Sequence, residues 1–174
     1  MSSIPKSVIP FFKKAGWYEG RKEKLNISNC NLPDDFSDFY IDFMSELVGL
    51  EVHNKGKKHI ELFGEKVTQE YDLWIRFDLM TDDISSIDGE ETEFDYYSSL
   101  IGRQLFPVGK TNENWCLAID IEKYLYLFNS GYNCFRIHND PYEGIRCYLE
   151  NDLYSTSYVL EEEGEHAGKW FKRE

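Results

Sequence analysis

The chain has 174 residues, enough for one domain with a sizeable buried core, and with 41% hydrophobic and 16% aromatic residues its composition is not that of a disordered segment. Asp and Glu number 32 against 19 Lys and Arg, leaving a net charge of −13. Such a surface repels phosphate backbones, which argues against nucleic acid as a partner and for basic protein surfaces, although acidity also serves plain solubility.

The opening "PKSVIPFFKKAG" reads as a short helix, with Ser7 placed to cap it, Pro10 tolerated in the first turn and Gly16 suited to a left-handed end. "AGWYEGRK" follows, with Trp17 and Tyr18 anchoring the chain as it leaves that helix. "DDFSDFYIDFMSELVG" carries the clearest helical stripe: Phe36, Phe39, Tyr40, Phe43, Met44 and Leu47 recur at steps of three and four. Asp34 or Asp35 is expected to cap its start and Gly49 to end it. The stripe is expected to pack on a sheet rather than to line a ligand groove.

Strands come next. "HIELFGEKV" alternates loosely, and "YDLWIRFD" alternates well, with Tyr71, Leu73, Ile75 and Phe77 on one side and Asp72, Trp74 and Arg76 on the other. In "TDDISSIDGEETEFDYYSSLIG" the first half is a polar loop. Thr92 and Asp95 then form a capping-box pattern, predicting a helix over 94–101 closed by Gly102. "WCLAIDI" and "YLYLFN" flank Glu122-Lys123 as a hairpin, with a loop longer than two residues because Glu-Lys suits a tight turn poorly. "YNCFRIHN" is a further strand. Asp140, Pro141 and Glu143 then open a helix whose buried side is Ile145, Tyr148 and Leu149. The ending "EEEGEHAGKWFKRE" is charged and expected to be loosely ordered, with Trp170 and Phe171 able to dock. The order predicts an α+β fold: a mainly antiparallel sheet with helices packed on one side, in a single domain over 1–174 whose core spans 8–153 and whose segment 154–174 is variable.

Catalytic and cofactor signals are weak. "GWYEGR" lacks the spacing of a phosphate loop, and Trp and Tyr between its glycines would block close backbone approach. Cys30, Cys116, Cys134 and Cys147 form no C-x-x-C, and the four histidines make no helical pair with them, so no metal site and no cofactor are expected. Cys134 and His138 lie four apart with no third group to orient them, and no nucleophilic elbow occurs. Asp120 stands within an apolar strand and is expected to point outward or to meet Arg136 or Arg146. The start "MSSIPKSVIPFF" does not have the form of a secretory leader, and no apolar run reaches ~20 residues. A cytoplasmic protein with free thiols, three of them buried, is expected, with no membrane partner.

The most unusual feature is electrostatic. From Phe77 to Gly102 there is no Lys or Arg, while Asp82, Asp83, Asp88, Glu90, Glu91, Glu93 and Asp95 alternate with Ile84, Ile87, Phe94, Tyr96 and Tyr97. Acidic oxygens suggest calcium, yet "DDISSIDGEETE" lacks the EF-hand spacing. A solvated loop is the economical reading. The functional one is a docking face for a basic protein, in which charge speeds encounter and aromatics hold at short range.

Two motifs, "FFKKAGWYEGRK" and "SSLIGRQLFPVGKTNENWCLAIDIEKYLYLF", with an aromatic helix between them, resemble the SUKH superfamily, and within it the third group of bacterial immunity proteins. Ala15, Gly16, Trp17, Gly20 and Arg21 carry the first element; Leu100 or Ile101, Gly102, Leu105, Pro107 and Gly109 carry the second, a turn before the hairpin. The resemblance spans residues 8–150. Its hairpin often has a Gly where this chain has Glu122-Lys123. It implies a SUKH-like (Smi1/Knr4-like) fold and no enzymatic activity. The implied function is to bind and neutralise a cognate toxin, a nuclease or deaminase, by blocking its active face; the alternative is a regulatory or scaffolding protein with an endogenous partner. Trp17 and Arg21 are expected to be structural, with Arg21 bonding carbonyls or a carboxylate. Edge strands allow a monomer or a homodimer.

Overall fold

The computed structural model describes residues 3–27, 32–79, 92–129 and 133–172. Its centre is an eight-stranded sheet in which every strand pairs antiparallel with its neighbour in sequence, in the order β1 to β8. The strands are β1 (Glu51–Leu62), β2 (Glu65–Phe77), β3 (Phe106–Thr111), β4 (Cys116–Ile119), β5 (Leu125–Phe128), β6 (Cys134–His138), β7 (Tyr158–Leu160) and β8 (Trp170–Lys172). The helices are α1 (Ile9–Lys14), α2 (Asp34–Leu47), α3 (Glu93–Ile101), α4 (Pro141–Leu149) and the one-turn α5 (Leu153–Thr156).

The strand alternation sorts the core into two layers. Leu117 and Ile119 of β4, Leu125 and Leu127 of β5 and Phe135 and Ile137 of β6 face the larger cluster, which takes in Phe12 of α1, the apolar stripe of α2 and Ile145, Tyr148 and Leu149 of α4. Cys116, Ala118, Tyr126, Phe128 and Cys134 face the other way, onto Phe94 and Tyr97 of α3 and Leu160 of β7. The α+β class is as the sequence indicates. The expectation of one helical face holds for α1, α2 and α4, whereas α3 covers the opposite face.

Tyr40 ties α2 to the sheet. It is fully buried, and its hydroxyl donates to the Pro107 carbonyl at 2.6 Å. The ladder between β3 and β4 shifts register between Pro107 and Gly109, which is where a strand tolerates a residue without an N–H. A Cβ on Gly109 would collide with the Arg76 carbonyl, so only glycine lets β2 and β3 approach. Beyond Thr111 the Asn112 side chain extends this ladder: its Nδ2 donates to the Asp72 carbonyl at 2.6 Å and its Oδ1 accepts from the Trp74 amide at 2.8 Å.

Several expectations are corrected. "HIELFGEKV" is not one strand but the tip of a long β1–β2 hairpin turning at Phe63-Gly64. "FPVGKT", expected within a turn, is strand β3. Helix α1 starts after Val8 without a Ser7 cap, and α2 starts after Pro33, with Asp34 and Asp35 in its first turn rather than at its cap. The tail is not loose: β7 and β8 extend the sheet, and Trp170 lies 5.8 Å from the Tyr126 ring. Other local signals hold. The Thr92–Asp95 capping box is present, Gly102 ends α3 at φ 74°, and Asp140 caps α4 by accepting from the Tyr142 and Glu143 amides.

Candidate functional site

The "AGWYEGRK" segment folds against the end of α2. Gly16 and Gly20 take φ of 98° and 80°, turning the chain twice within five residues. The turns aim Trp17 and Arg21 at one target. Trp17 Nε1 donates to Glu46 Oε1 at 3.0 Å. Arg21 is buried, and its guanidinium donates at 2.8 Å to both the Glu46 and Val48 carbonyls, groups that a helix C-terminus leaves unpaired. Trp17 and Arg21 thus both bond to the last turn of α2, and Gly49 (φ 80°) follows its end.

Beyond Glu46 lies a groove of about 410 Å³ between α2, the start of α4 and the β4–β5 turn. Phe39, Phe43, Pro141 and Tyr142 supply its apolar walls. Glu46 is held from two sides, since the Tyr142 hydroxyl donates to its Oε2 at 2.5 Å while Trp17 holds Oε1. Burial, then the adjacent Glu46 carboxylate, pushes the Tyr142 hydroxyl far above the usual phenol range, so it stays a donor. Two of the chain's own ammonium groups sit at the rim: Lys22 on Asp42 at 2.8 Å, and Lys123 over the Phe39 ring at 4.3 Å.

Asp34, Asp38, Asp42 and Glu46 recur at four-residue steps along α2 and lead into this groove. Asp34, Asp35, Asp38 and Asp42 are exposed, with Ile41 36% exposed among them. Sequence reasoning passed over this ladder, although the signal is there: no Lys or Arg occurs between Lys24 and Lys55. Of the acidic residues singled out instead, Asp82, Asp83, Asp88, Glu90 and Glu91 lie outside the described residues. Glu93 and Asp95 occupy the first turn of α3, where Asp95 closes the capping box and Glu93 Oε2 accepts from the Cys116 thiol at 3.7 Å.

Asp120 does not point outward, nor does it meet Arg136 or Arg146. It is fully buried at the start of the β4–β5 turn, accepting from Arg103 Nη1 (3.0 Å), the Tyr126 hydroxyl (2.8 Å) and the Tyr124 amide (3.0 Å). Arg103 reaches it because the chain turns back at Gly102. Arg136 lies instead among the rings of Tyr124, Tyr158 and Trp170, at 4.9, 5.2 and 4.8 Å, and Arg146 is bound to Glu143 of α4 and to Glu150 at its C-cap.

Cys116, Cys134 and Cys147 are buried free thiols. Burial pushes the Cys134 thiol well up, away from the thiolate a nucleophile needs, and His138 Nδ1 accepts from the Asp140 amide. Among the described residues no group of three or more His, Cys, Asp or Glu is placed to hold a metal ion, and no helix is long and apolar enough to cross a membrane.

Residues 4–147 match the family model described as SUKH-3 immunity protein. No curated protein and no solved structure matches the chain.

Proposed function

The chain belongs to the SUKH-3 immunity protein family, and from that premise we propose that it neutralises a cognate bacterial toxin by covering the toxin's active face. The observation that carries this reading is the charge distribution. The net charge is −13, and two long runs, 25–54 and 77–102, contain no Lys or Arg. A nuclease or a nucleic-acid deaminase presents a positive substrate face, and an acidic protein of this kind is steered onto it and competes with the phosphate backbone there. The protein acts by occupancy, inside the cell that makes it, and turns over no substrate. Asp82, Asp83, Asp88, Glu90, Glu91, Glu93 and Asp95 form one part of the docking face.

Co-expression of the chain with the proteins encoded beside its gene, followed by affinity capture and an assay of the captured partner's activity, tests the reading. A neighbouring toxin is expected to bind and lose activity. Reversing Asp82, Asp83, Asp88, Glu90 and Glu91 to Lys should slow association at least tenfold at low salt and flatten its salt dependence. Failure to inhibit any neighbouring toxin overturns the immunity reading, and an unchanged on-rate removes these five residues from the docking face.

A further inference from the structure

We propose that the groove between α2, α4 and the β4–β5 turn seats a lysine or arginine side chain of the toxin, and that the ladder Asp34, Asp38, Asp42, Glu46 binds further cations of the same basic segment. The proposal rests on the reading of the chain as a toxin-binding protein.

The groove already shows what it accepts. An ammonium lies over the Phe39 ring and another on the Asp42 carboxylate, both supplied by this chain. These lysines are held loosely: Lys22 is 54% exposed as a side chain, and Lys123 is exposed at the tip of a turn. A partner cation can displace them at little cost, because an exposed ion pair is worth at most about 1 kcal/mol. The groove's own carboxylate is preorganised, since Trp17 and Tyr142 fix both oxygens of Glu46.

The ladder supplies the second argument. Like charges four residues apart on a helix destabilise it by about 0.2–0.5 kcal/mol per pair. Lys22 relieves Asp42 and two hydrogen bonds hold Glu46, but Asp34 and Asp38 have no ion-pair partner among the described residues. The repulsion left between Asp34 and Asp38 is relieved by cations from outside the chain. Its members rise about 6 Å per step along the axis, the same repeat as basic residues at every fourth position of a partner helix. Ile41, 36% exposed beside the row, adds an apolar contact at its flank.

The test uses the full chain and a helical alanine-based peptide with lysine at every fourth position, four lysines in all, followed by NMR. Resonances of Phe39, Ile41, Lys123 and Tyr142 are expected to shift together. Asp34→Lys with Asp38→Lys should weaken binding at least tenfold, and Phe39→Leu severalfold. Glu61→Lys with Glu65→Lys, exposed at the tip of the β1–β2 hairpin, should leave it within twofold. The proposal is overturned if the peptide does not bind, if the shifts fall on residues 78–95 or 161–165 instead, or if the α2 substitutions have no effect. Because Asp34 and Asp38 are exposed, the double variant keeps the fold, which the dispersion of its spectrum verifies. With the captured toxin, inhibition that survives the α2 variants also overturns this proposal while leaving the immunity reading intact; absence of any inhibited toxin removes that reading, and the peptide result still judges the groove.

Discussion

Arg21 and Val48 are joined across the base of α2 by a 2.8 Å hydrogen bond from guanidinium to carbonyl, and the same guanidinium holds Glu46. The fork satisfies two carbonyls that water would otherwise have to reach in a buried place. Arg21→Ala is expected to cost about 2–4 kcal/mol, read from urea unfolding. Arg21→Lys should recover less than half of it, since an ammonium cannot reach both carbonyls in one plane. Equal stability of Arg21→Lys and the wild type would show that charge alone matters there.

Gly109 faces the Arg76 carbonyl at a distance that leaves no room for a Cβ. Gly109→Ala must push β2 away from β3 and should destabilise by about 3 kcal/mol or more. Gly102→Ala is a useful comparison, because nothing crowds that position and only its left-handed φ of 74° opposes the substitution, at about 1–2 kcal/mol. Thermal unfolding of the two variants should rank them in that order.

Lys123 occupies a left-handed conformation at φ 69° in the β4–β5 turn, closed by its amide bonding to the Asp120 carbonyl at 2.9 Å. Glycine is the residue such a turn favours. Lys123→Gly should be more stable than Lys123→Ala by about 1 kcal/mol, because both lose the contact with Phe39 and only one relieves the backbone. Identical melting temperatures for the two would mean that the turn carries no strain.

His53 lies between Glu51 and Asp72, at 2.9 and 3.1 Å. The hydrogen bond to Glu51 raises its pKa above the ordinary histidine value; burial opposes this, and the hydrogen bond and charge of Asp72 add to the rise. The folded state therefore binds the proton more tightly than the unfolded state does. The stabilisation is complete below the unfolded value of about 6.5 and disappears as pH rises through the higher folded value. The site is over a third exposed, so the effect is under about 1 kcal/mol. His53→Gln should flatten that step in a stability–pH curve; a step of undiminished size would assign it elsewhere.

The elements legible in the sequence are those whose signals are local. Thr92 with Asp95, and Asp140 with Pro141, announce α3 and α4 because a cap is written within four residues. The α2 stripe is equally plain. What escaped is defined by distant contacts. Residues 51–58 show little alternation because Val52 is the apolar residue that faces the core there, Asn54 being buried through its bond to the Leu149 carbonyl, while residues 57–59 and 65–70 of the ribbon are exposed. Strand β3 was hidden by Pro107 and Gly109, which read as a turn; the bulge and the Arg76 backbone make them a strand. The tail is too charged to announce a strand, yet β7 is held by Leu160 in one cluster and Val159 against the other. The groove unites residues from 22, 39–46, 123 and 139–142, a set no local pattern brings together. Its acidic approach along α2 was readable as a period of four, but the apolar stripe of the same helix dominated the reading.

The strand order has a kinetic consequence. Because each strand pairs with the one made just before it, the sheet can be laid down in the direction of synthesis, the longest closures being from β2 to β3 across α3 and from β6 to β7 across α4 and α5. Among the tethers that cannot form early is the one from Tyr40 to Pro107, sixty-seven residues apart. Helix α2 must wait for the third strand before its aromatic side finds cover, so during translation the nascent chain carries an exposed row of phenylalanines until that strand leaves the ribosome.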